Sequence, residues 1–189
     1  MGRGYRQLPP LLSRKRCIVN VQNQDNRCFG YAVIGALENI TKNANQPVKY
    51  VNLFPLYGLD ALQYPVDVED IAAIEDRLQL NFNVFSFYDD DGRLRYPLYV
   101  SMKKHARTID LIYWDGHYAW IKSFSSFMAD LVKTQPLYWC RACLKHFSSE
   151  RILARHNLKC GGVLRIGQTI MKPKKFINDL APITKVLID

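Results

Sequence analysis

The chain has 189 residues, and its 26 Lys and Arg residues outnumber its 17 Asp and Glu residues, which gives a formal net charge of +9. Hydrophobic residues make up 48% of the sequence and charged residues 23%, a composition typical of a folded protein and not of a disordered polyelectrolyte. The sequence contains no run of about 18 apolar residues, so it predicts no transmembrane helix.

The positive charge is concentrated at the two ends of the sequence. Residues 1–16 hold five basic residues and no acid, and residues 140–189 hold ten basic and three acidic residues. Residues 17–139 contain 11 basic and 14 acidic residues, a net charge of −3. The high isoelectric point therefore does not by itself predict that the main body binds nucleic acid. We expect at most a weak contact with nucleic acid through the basic ends.

The number and placement of the cysteines favour a metal site over a disulfide framework. The chain has five of them, at positions 17, 28, 140, 143 and 160. Their odd number and uneven spacing are typical of a protein in a reducing compartment, with one metal site and one or two free thiols. We therefore expect an intracellular protein, cytoplasmic or nuclear.

The apolar periodicity predicts a helix-rich first half and a strand-rich second half. A strand is predicted at 17–21, a helix with apolar residues three and four apart at 29–40, a loop-rich connection at 41–66 and a second helix at 68–78. Strands are then predicted at 82–87, 96–100, 108–114 and 117–122, followed by a short helix at 125–132. This order predicts an α+β fold.

Four residues near the end of the chain have the spacing of a small tetrahedral metal site. Cys140 and Cys143 are separated by two residues, twelve residues separate Cys143 from His156, and three more separate His156 from Cys160. The segment resembles the ββα zinc fingers, with a cysteine in place of the usual last histidine. The resemblance implies a structural Zn²⁺ bound by these four side chains.

The residues of the finger helix favour a structural or protein-docking role over DNA reading. In fingers of this type that read DNA, three helix positions face the bases, and by register these are Ser149, Ile152 and Arg155 here. Only Arg155 is a typical contact to a base or a phosphate, and single fingers bind DNA weakly.

Cys28 is the candidate nucleophile. It lies at the predicted start of a helix, where unpaired backbone N–H groups and the helix dipole stabilise a thiolate. Nucleophilic catalysis also needs a base and an oxyanion donor. His117 is the candidate base, and the side-chain amide of Gln22 or Gln24 is the candidate donor.

An acid is required to orient His117, and Asp115 is the first candidate. If the segment from Asp115 to His117 is extended, side chains two residues apart lie on the same face of the strand. Gly116 between them permits unusual backbone dihedrals or a close approach of the nucleophile helix. Asp130 is the second candidate.

This set of residues resembles the papain-like cysteine proteases, in which Gln, Cys and His follow in that order. The spacing of six between Gln22 and Cys28 matches the papain pattern, whereas an acid two residues before the histidine does not. That arrangement is similar to the herpesviral tegument deubiquitinases and their cellular relatives. The resemblance implies a papain-like isopeptidase acting on ubiquitin or a ubiquitin-like protein, with Gln22, Cys28, Asp115 and His117 in the site.

A second resemblance concerns the context of the domain. The segments 23–29 and 117–122, together with the finger that follows, resemble the N-terminal regions of proteins from large self-synthesising DNA transposons of the Maverick or Polinton type. Those proteins often continue into a polymerase. This resemblance implies the alternative function, a non-catalytic module that binds nucleic acid or protein within a mobile-element protein.

The expected domain organisation has four parts. A basic arm occupies residues 1–16, a papain-like protease domain residues 17–130, the zinc finger residues 138–162 and a basic tail residues 163–189.

Overall fold

The structure is a computed structural model of the chain, and it describes residues 4–88, 90–129 and 138–160. The helices of this part are α1 Pro10–Arg14, α2 Cys28–Leu37, α3 Ile71–Leu78, α4 Phe124–Met128 and α5 Glu150–Asn157. The strands are β1 Ile18–Val19, β2 Asn81–Phe87, β3 Arg95–Val100, β4 Thr108–Trp114, β5 His117–Ile121, β6 Tyr138–Trp139 and β7 His146–Phe147. Short 3₁₀ helices cover Pro47–Lys49, Val51–Leu53, Pro55–Tyr57 and Val68–Asp70.

Five of these strands form one mixed sheet in the order β1-β5-β4-β2-β3. Strands β2 and β4 pair in parallel, and the chain between them runs through the edge strand β3. The remaining neighbours in this sheet are antiparallel. Strands β6 and β7 form a separate hairpin, which is followed by α5.

Helix α2 covers one face of the sheet. Its nine residues from Cys28 to Ala36 are all buried, so the helix is surrounded by the core and does not have the single apolar stripe of a surface helix. Phe29 packs against the ring of Tyr118 on β5, with 5.3 Å between ring centroids. Trp120 of the same strand and Val19 of β1 belong to this cluster as well.

The second face of the sheet has its own apolar cluster. Because side chains alternate along a strand, Ala119 and Ile121 of β5 point to this side, away from α2. Leu8 and Leu12 from the start of the chain pack here, as do α4 and Trp139 of the β6–β7 hairpin. The sheet is therefore buried on both faces, by α2 and α3 on one side and by the N-terminal residues, α4 and the hairpin on the other.

The structure confirms the predicted α+β arrangement, and most element boundaries differ from the prediction by one or two residues. Helix α2, predicted at 29–40, is shorter than its apolar pattern indicates. It ends at Leu37, and Asn39 beyond it adopts a left-handed conformation with φ of +50°. The short helix predicted at 125–132 is α4, and residues 130–132 lie outside the described part. The papain-like identity of the fold stays a prediction.

Among the described residues, no helix has the length and apolar character that crossing a membrane requires.

Candidate thiol site and metal centre

Cys28 is the first residue of α2, as the sequence predicts, and it lies against the start of β5. Its Sγ is 3.9 Å from the carbonyl oxygen of Gly116, and the backbone N–H of Tyr118 also faces the sulfur. The side chain is buried, with 3% of its surface exposed. The fold thus brings Cys28 to the two residues that flank His117, across 88 positions of sequence.

A tight turn precedes His117. Trp114 pairs with His117 across β4 and β5, which leaves Asp115 and Gly116 as a two-residue turn with φ values of +45° and +75°. Asp-Gly is one of the preferred sequences for such a turn, because both residues must adopt positive φ. The segment from Asp115 to His117 is therefore not extended, and the condition under which Asp115 and His117 would share one face of a strand is not met. Asp115 instead forms an ion pair with Arg6, at 3.0 Å.

His117 is fully buried, and its partner is Asn20. Its Nε2 lies 2.8 Å from Oδ1 of Asn20, just beyond the end of β1. Its Nδ1 is buried and forms no hydrogen bond with any described residue. The rings of Trp114 and Tyr5 meet the imidazole edge-on, at 4.9 and 6.3 Å between centroids. The side chain of Asn20 is thus the hydrogen-bond partner that the structure gives to the imidazole.

The side chains of Cys28 and His117 lie on opposite faces of the sheet. Cys28 packs in the cluster with Tyr118 and Trp120, on the α2 side. His117 precedes Tyr118 in the strand and pairs with Trp114, which packs against the opposite cluster. The backbones of the two candidate catalytic residues are adjacent, but no hydrogen bond between their side chains occurs in the described part of the chain.

Asn20 was not among the residues that the sequence indicated. It is the one polar residue of the predicted strand 17–21, and it is 97 positions from His117. Its contact depends on the antiparallel pairing of β1 with β5, which places Asn20 diagonally across from His117 on the same face. A lone asparagine within an apolar strand is the signal that could have drawn attention to it.

The other predicted site residues lie away from Cys28. Gln22 is exposed, and its Oε1 accepts a hydrogen bond from Nδ2 of Asn45 at 3.3 Å. Gln24 is also exposed. The hydrogen bond that the structure gives to the Gln22 amide is with Asn45 and not with the Cys28 sulfur. The predicted oxyanion role of Gln22 therefore has no geometric support. Asp130 lies outside the described residues.

The electrostatics favour the neutral forms of both candidate residues. Burial raises the pKa of the Cys28 thiol, and the N–H groups of Tyr118 and Phe29 oppose this only in part. Burial, and then the positive charge of Arg6, lowers the pKa of His117 to about 4. At neutral pH this arrangement therefore holds a thiol and a neutral imidazole, not a thiolate–imidazolium pair.

The four predicted metal ligands converge. The ligand atoms of Cys140, Cys143, His156 and Cys160 all lie within 4.8 Å of one another, and the cysteines form no disulfide. The two sulfurs of Cys140 and Cys160 are 3.8 Å apart, and Sγ of Cys143 is 3.3 Å from Nε2 of His156. Ligands at about 2.0–2.3 Å around a tetrahedral ion are separated by about 3.3–3.8 Å, so the cluster fits a metal ion.

The segment that carries the metal ligands packs firmly onto the main sheet. Trp139, next to Cys140, is buried in the second core cluster. Arg141 lies between the first two ligands, and its Nε and Nη2 donate to Asp110 on β4 at 2.8 and 2.7 Å. The same guanidinium stacks over the ring of Phe124, 4.7 Å from its centroid. The segment with the four candidate ligands thus holds Arg141 against the strand that leads to the turn before His117.

One of the three residues of helix α5 that were predicted to face DNA is instead the N-cap of that helix. Ser149 is the N-cap, and its Oγ accepts a hydrogen bond from the N–H of Ile152 at 3.3 Å. Its hydroxyl is therefore engaged with the helix. Arg155 and Ile152 are exposed.

No protein-family model, curated protein or solved structure matches the chain.

We predict that removing the metal loosens the main sheet as well as the finger. Without the metal, Arg141 is no longer fixed beside Asp110, and this poorly exposed carboxylate loses its charged partner and keeps only the hydrogen bond from Asn83, a change that costs about 1–3 kcal/mol. Hydrogen–deuterium exchange of the β4 amides should become faster on chelation. Asp110→Asn should show fast exchange already with metal, whereas Cys17→Ala should respond to chelation as the wild type does. Unchanged β4 exchange on chelation would refute the coupling.

We predict that His117 makes the protein less stable in acid. The pKa of His117 falls from 6.5 to about 4 on folding, so between these values the unfolded chain binds a proton that the folded chain does not. The free energy of unfolding should therefore drop by about 3 kcal/mol as the pH falls from 7 to 4. Urea titrations of the wild type and His117→Gln measure this difference, and equal pH dependence in the two proteins would contradict it.

Proposed function

We propose that the chain is a cysteine-type isopeptidase in which Cys28 is the nucleophile, His117 the base and Asn20 the residue that orients His117. The observation that carries this proposal is the 3.9 Å approach of the Cys28 sulfur, at the first turn of α2, to the residue preceding His117. A cysteine, a histidine and an asparagine bound to the distal imidazole nitrogen form the catalytic set of papain-like enzymes. Nε2 of His117 is engaged with Asn20, so Nδ1, for which no described residue meets hydrogen-bond geometry, is the nitrogen left to serve the thiol.

The reaction needs a change in His117, because its ring now lies across the sheet from the sulfur. In the active arrangement Nδ1 takes the thiol proton, and the Cys28 sulfur forms a bond to the carbonyl carbon while the C=O electrons move to oxygen. The tetrahedral intermediate then collapses and expels the amine, which takes the proton back from the imidazolium. Water, deprotonated by His117, hydrolyses the resulting thioester and releases the thiol.

The backbone at the start of α2 is the source of oxyanion stabilisation in this proposal. Arg27, the N-cap residue, makes no side-chain capping hydrogen bond. The N–H groups of Cys28 and Phe29 are close enough to the sulfur to favour its charged form. Donors of this kind stabilise the developing negative charge of an acyl-transfer intermediate. They replace Gln22 in that role.

The substrate class is ubiquitin or a ubiquitin-like conjugate, which rests on the resemblance to the tegument deubiquitinases. The net charge of −3 over residues 17–139 is compatible with a substrate that presents a basic face. The metal is Zn²⁺, since three thiolates and one imidazole in a closed tetrahedral cluster are typical of structural zinc sites. In this proposal the metal stabilises the fold and takes no part in catalysis.

The proposal is tested with ubiquitin that carries a thiol-reactive electrophile at its C-terminus. We expect a covalent adduct on Cys28, found by peptide mass spectrometry, and no adduct in Cys28→Ala. Cys17→Ala, which removes another buried thiol, should react like the wild type. His117→Ala should slow the reaction by about 100-fold or more, the usual contribution of a catalytic base. Absence of a Cys28 adduct in the wild type and also in variants that expose His117 would contradict the proposed function.

A second candidate function is a non-catalytic module that contacts nucleic acid in a mobile-element protein. The observation that favours it is the exposed basic surface of the finger, where Arg151, Arg155 and Lys159 point away from the core. Electrostatic binding of this kind weakens steeply with salt. A mobility shift with double-stranded DNA that is lost in an Arg151→Ala/Arg155→Ala double variant would favour this candidate, provided that Cys28 also fails to react with the ubiquitin probe.

A further inference from the structure

Residues 4–8, which we call the cover segment, lie across the side of the sheet where His117 is buried. The N–H of Tyr5 donates to the carbonyl oxygen of Asn23 at 2.7 Å. The carbonyl oxygen of Arg6 accepts a hydrogen bond from Nδ2 of Asn20 at 2.8 Å. The cover segment is thus joined to the stretch of chain between β1 and α2.

The cover segment contacts the imidazole of His117 and the groups beside it. The ring of Tyr5 meets the imidazole edge-on, and the Gly4 carbonyl lies close enough to act on its charge. The guanidinium of Arg6 pairs with Asp115 in the turn that precedes His117. One short segment therefore contacts His117, its partner Asn20 and its turn.

We propose that the cover segment is an inhibitory latch that keeps His117 on the face of the sheet opposite Cys28. This inference rests on the proposed function, because it describes how the same Cys28–His117 site is regulated. While the latch is closed, Asn20 binds both the imidazole and the cover segment. When residues 4–7 move away, Asn20 is released from the carbonyl of Arg6, and the turn at Asp115 and the ring of His117 lose the contacts that fix them. The imidazole then turns around the end of β5 toward the sulfur, and the released side chain of Asn20 moves with it as the partner of Nε2.

The contacts that hold the cover segment are weak enough for the segment to leave and specific enough for it to return to the same position. The Arg6–Asp115 pair is about half exposed, with side-chain exposures of 39% and 52%, and ion pairs exposed to this extent contribute little to stability. The hydrogen bonds to Asn23 and Asn20 add only modestly, because water replaces the protein partner when the segment leaves. Leu8 and Leu12, by contrast, are buried in the second core cluster and anchor the base of the segment. Its tip can therefore leave while its base remains attached.

Gly4→Val is the variant that opens the latch without removing any interacting group. A Cβ at Gly4 would lie 2.9 Å from the carbonyl oxygen of Asn23 and 3.1 Å from Cα of Gln24, both backbone atoms that cannot move easily. Gln7→Val is the matched control, since Gln7 lies on the same segment and is exposed. Thermal unfolding of both variants verifies that they fold.

Two measurements on the full chain test the inference. The first is carbethoxylation of histidines by diethylpyrocarbonate, read by peptide mass spectrometry, with the exposed His146 as the internal reference. The second is the rate at which the ubiquitin probe labels Cys28. We expect His117 to be protected in the wild type and in Gln7→Val and to be modified in Gly4→Val, where Cys28 labelling should be at least about tenfold faster.

The two measurements distinguish failure of the latch from failure of the proposed function. If His117 stays protected in a folded Gly4→Val, or if Cys28 is labelled at the same rate in all three proteins, the latch is refuted. Equal labelling rates would at the same time leave the proposed function standing. If His117 becomes reactive in Gly4→Val and Cys28 is labelled in none of the proteins, the proposed function is refuted and the latch falls with it.

Discussion

The two-residue turn at Asp115 and Gly116 determines the arrangement of the candidate site. Because it is short, it fixes the register in which Trp114 faces His117, and the alternation along β5 follows from that register. Tyr118 and Trp120 then face α2, whereas Ala119 and Ile121 face the second cluster. The same turn brings Gly116 to the sulfur of Cys28 and places the imidazole of His117 on the other face. The turn at Asp115 and Gly116 therefore explains both why the backbones of Cys28 and His117 are close and why their side chains lie on opposite faces.

The second face of the sheet connects the metal centre to this site. Asp110 on β4 accepts hydrogen bonds from Arg141 of the metal-binding segment and, at 2.8 Å, from Nδ2 of Asn83 on β2. Trp139 fills the same apolar cluster as Leu8 and Leu12, which anchor the cover segment. The metal-binding segment and the N-terminal residues thus stabilise the same layer of the core. A small appended module can act on the stability of the whole sheet in this way, without contacting Cys28.

The sequence predicted those features that depend on local spacing. Strand and helix positions follow from apolar periodicity, and the ligands Cys140, Cys143, His156 and Cys160 follow from their separations along one short segment. The contacts of Asn20 with His117 and of Asp110 with Arg141 depend on which strands and segments pack together, and no local pattern encodes that. The Asp-Gly dipeptide was a local turn signal, and using it would have excluded an extended segment at Asp115.

Activation of Cys28 by His117, once the cover segment has moved, underlies both the proposed function and the latch. It is tested most directly by the pH dependence of Cys28 alkylation by iodoacetamide in Gly4→Val, compared with Gly4→Val/His117→Ala and followed by peptide mass spectrometry. We expect that Cys28 in Gly4→Val reacts rapidly well below pH 8.5, the usual thiol pKa, and that this reactivity is lost with His117. Alkylation that requires alkaline pH in both proteins would contradict it.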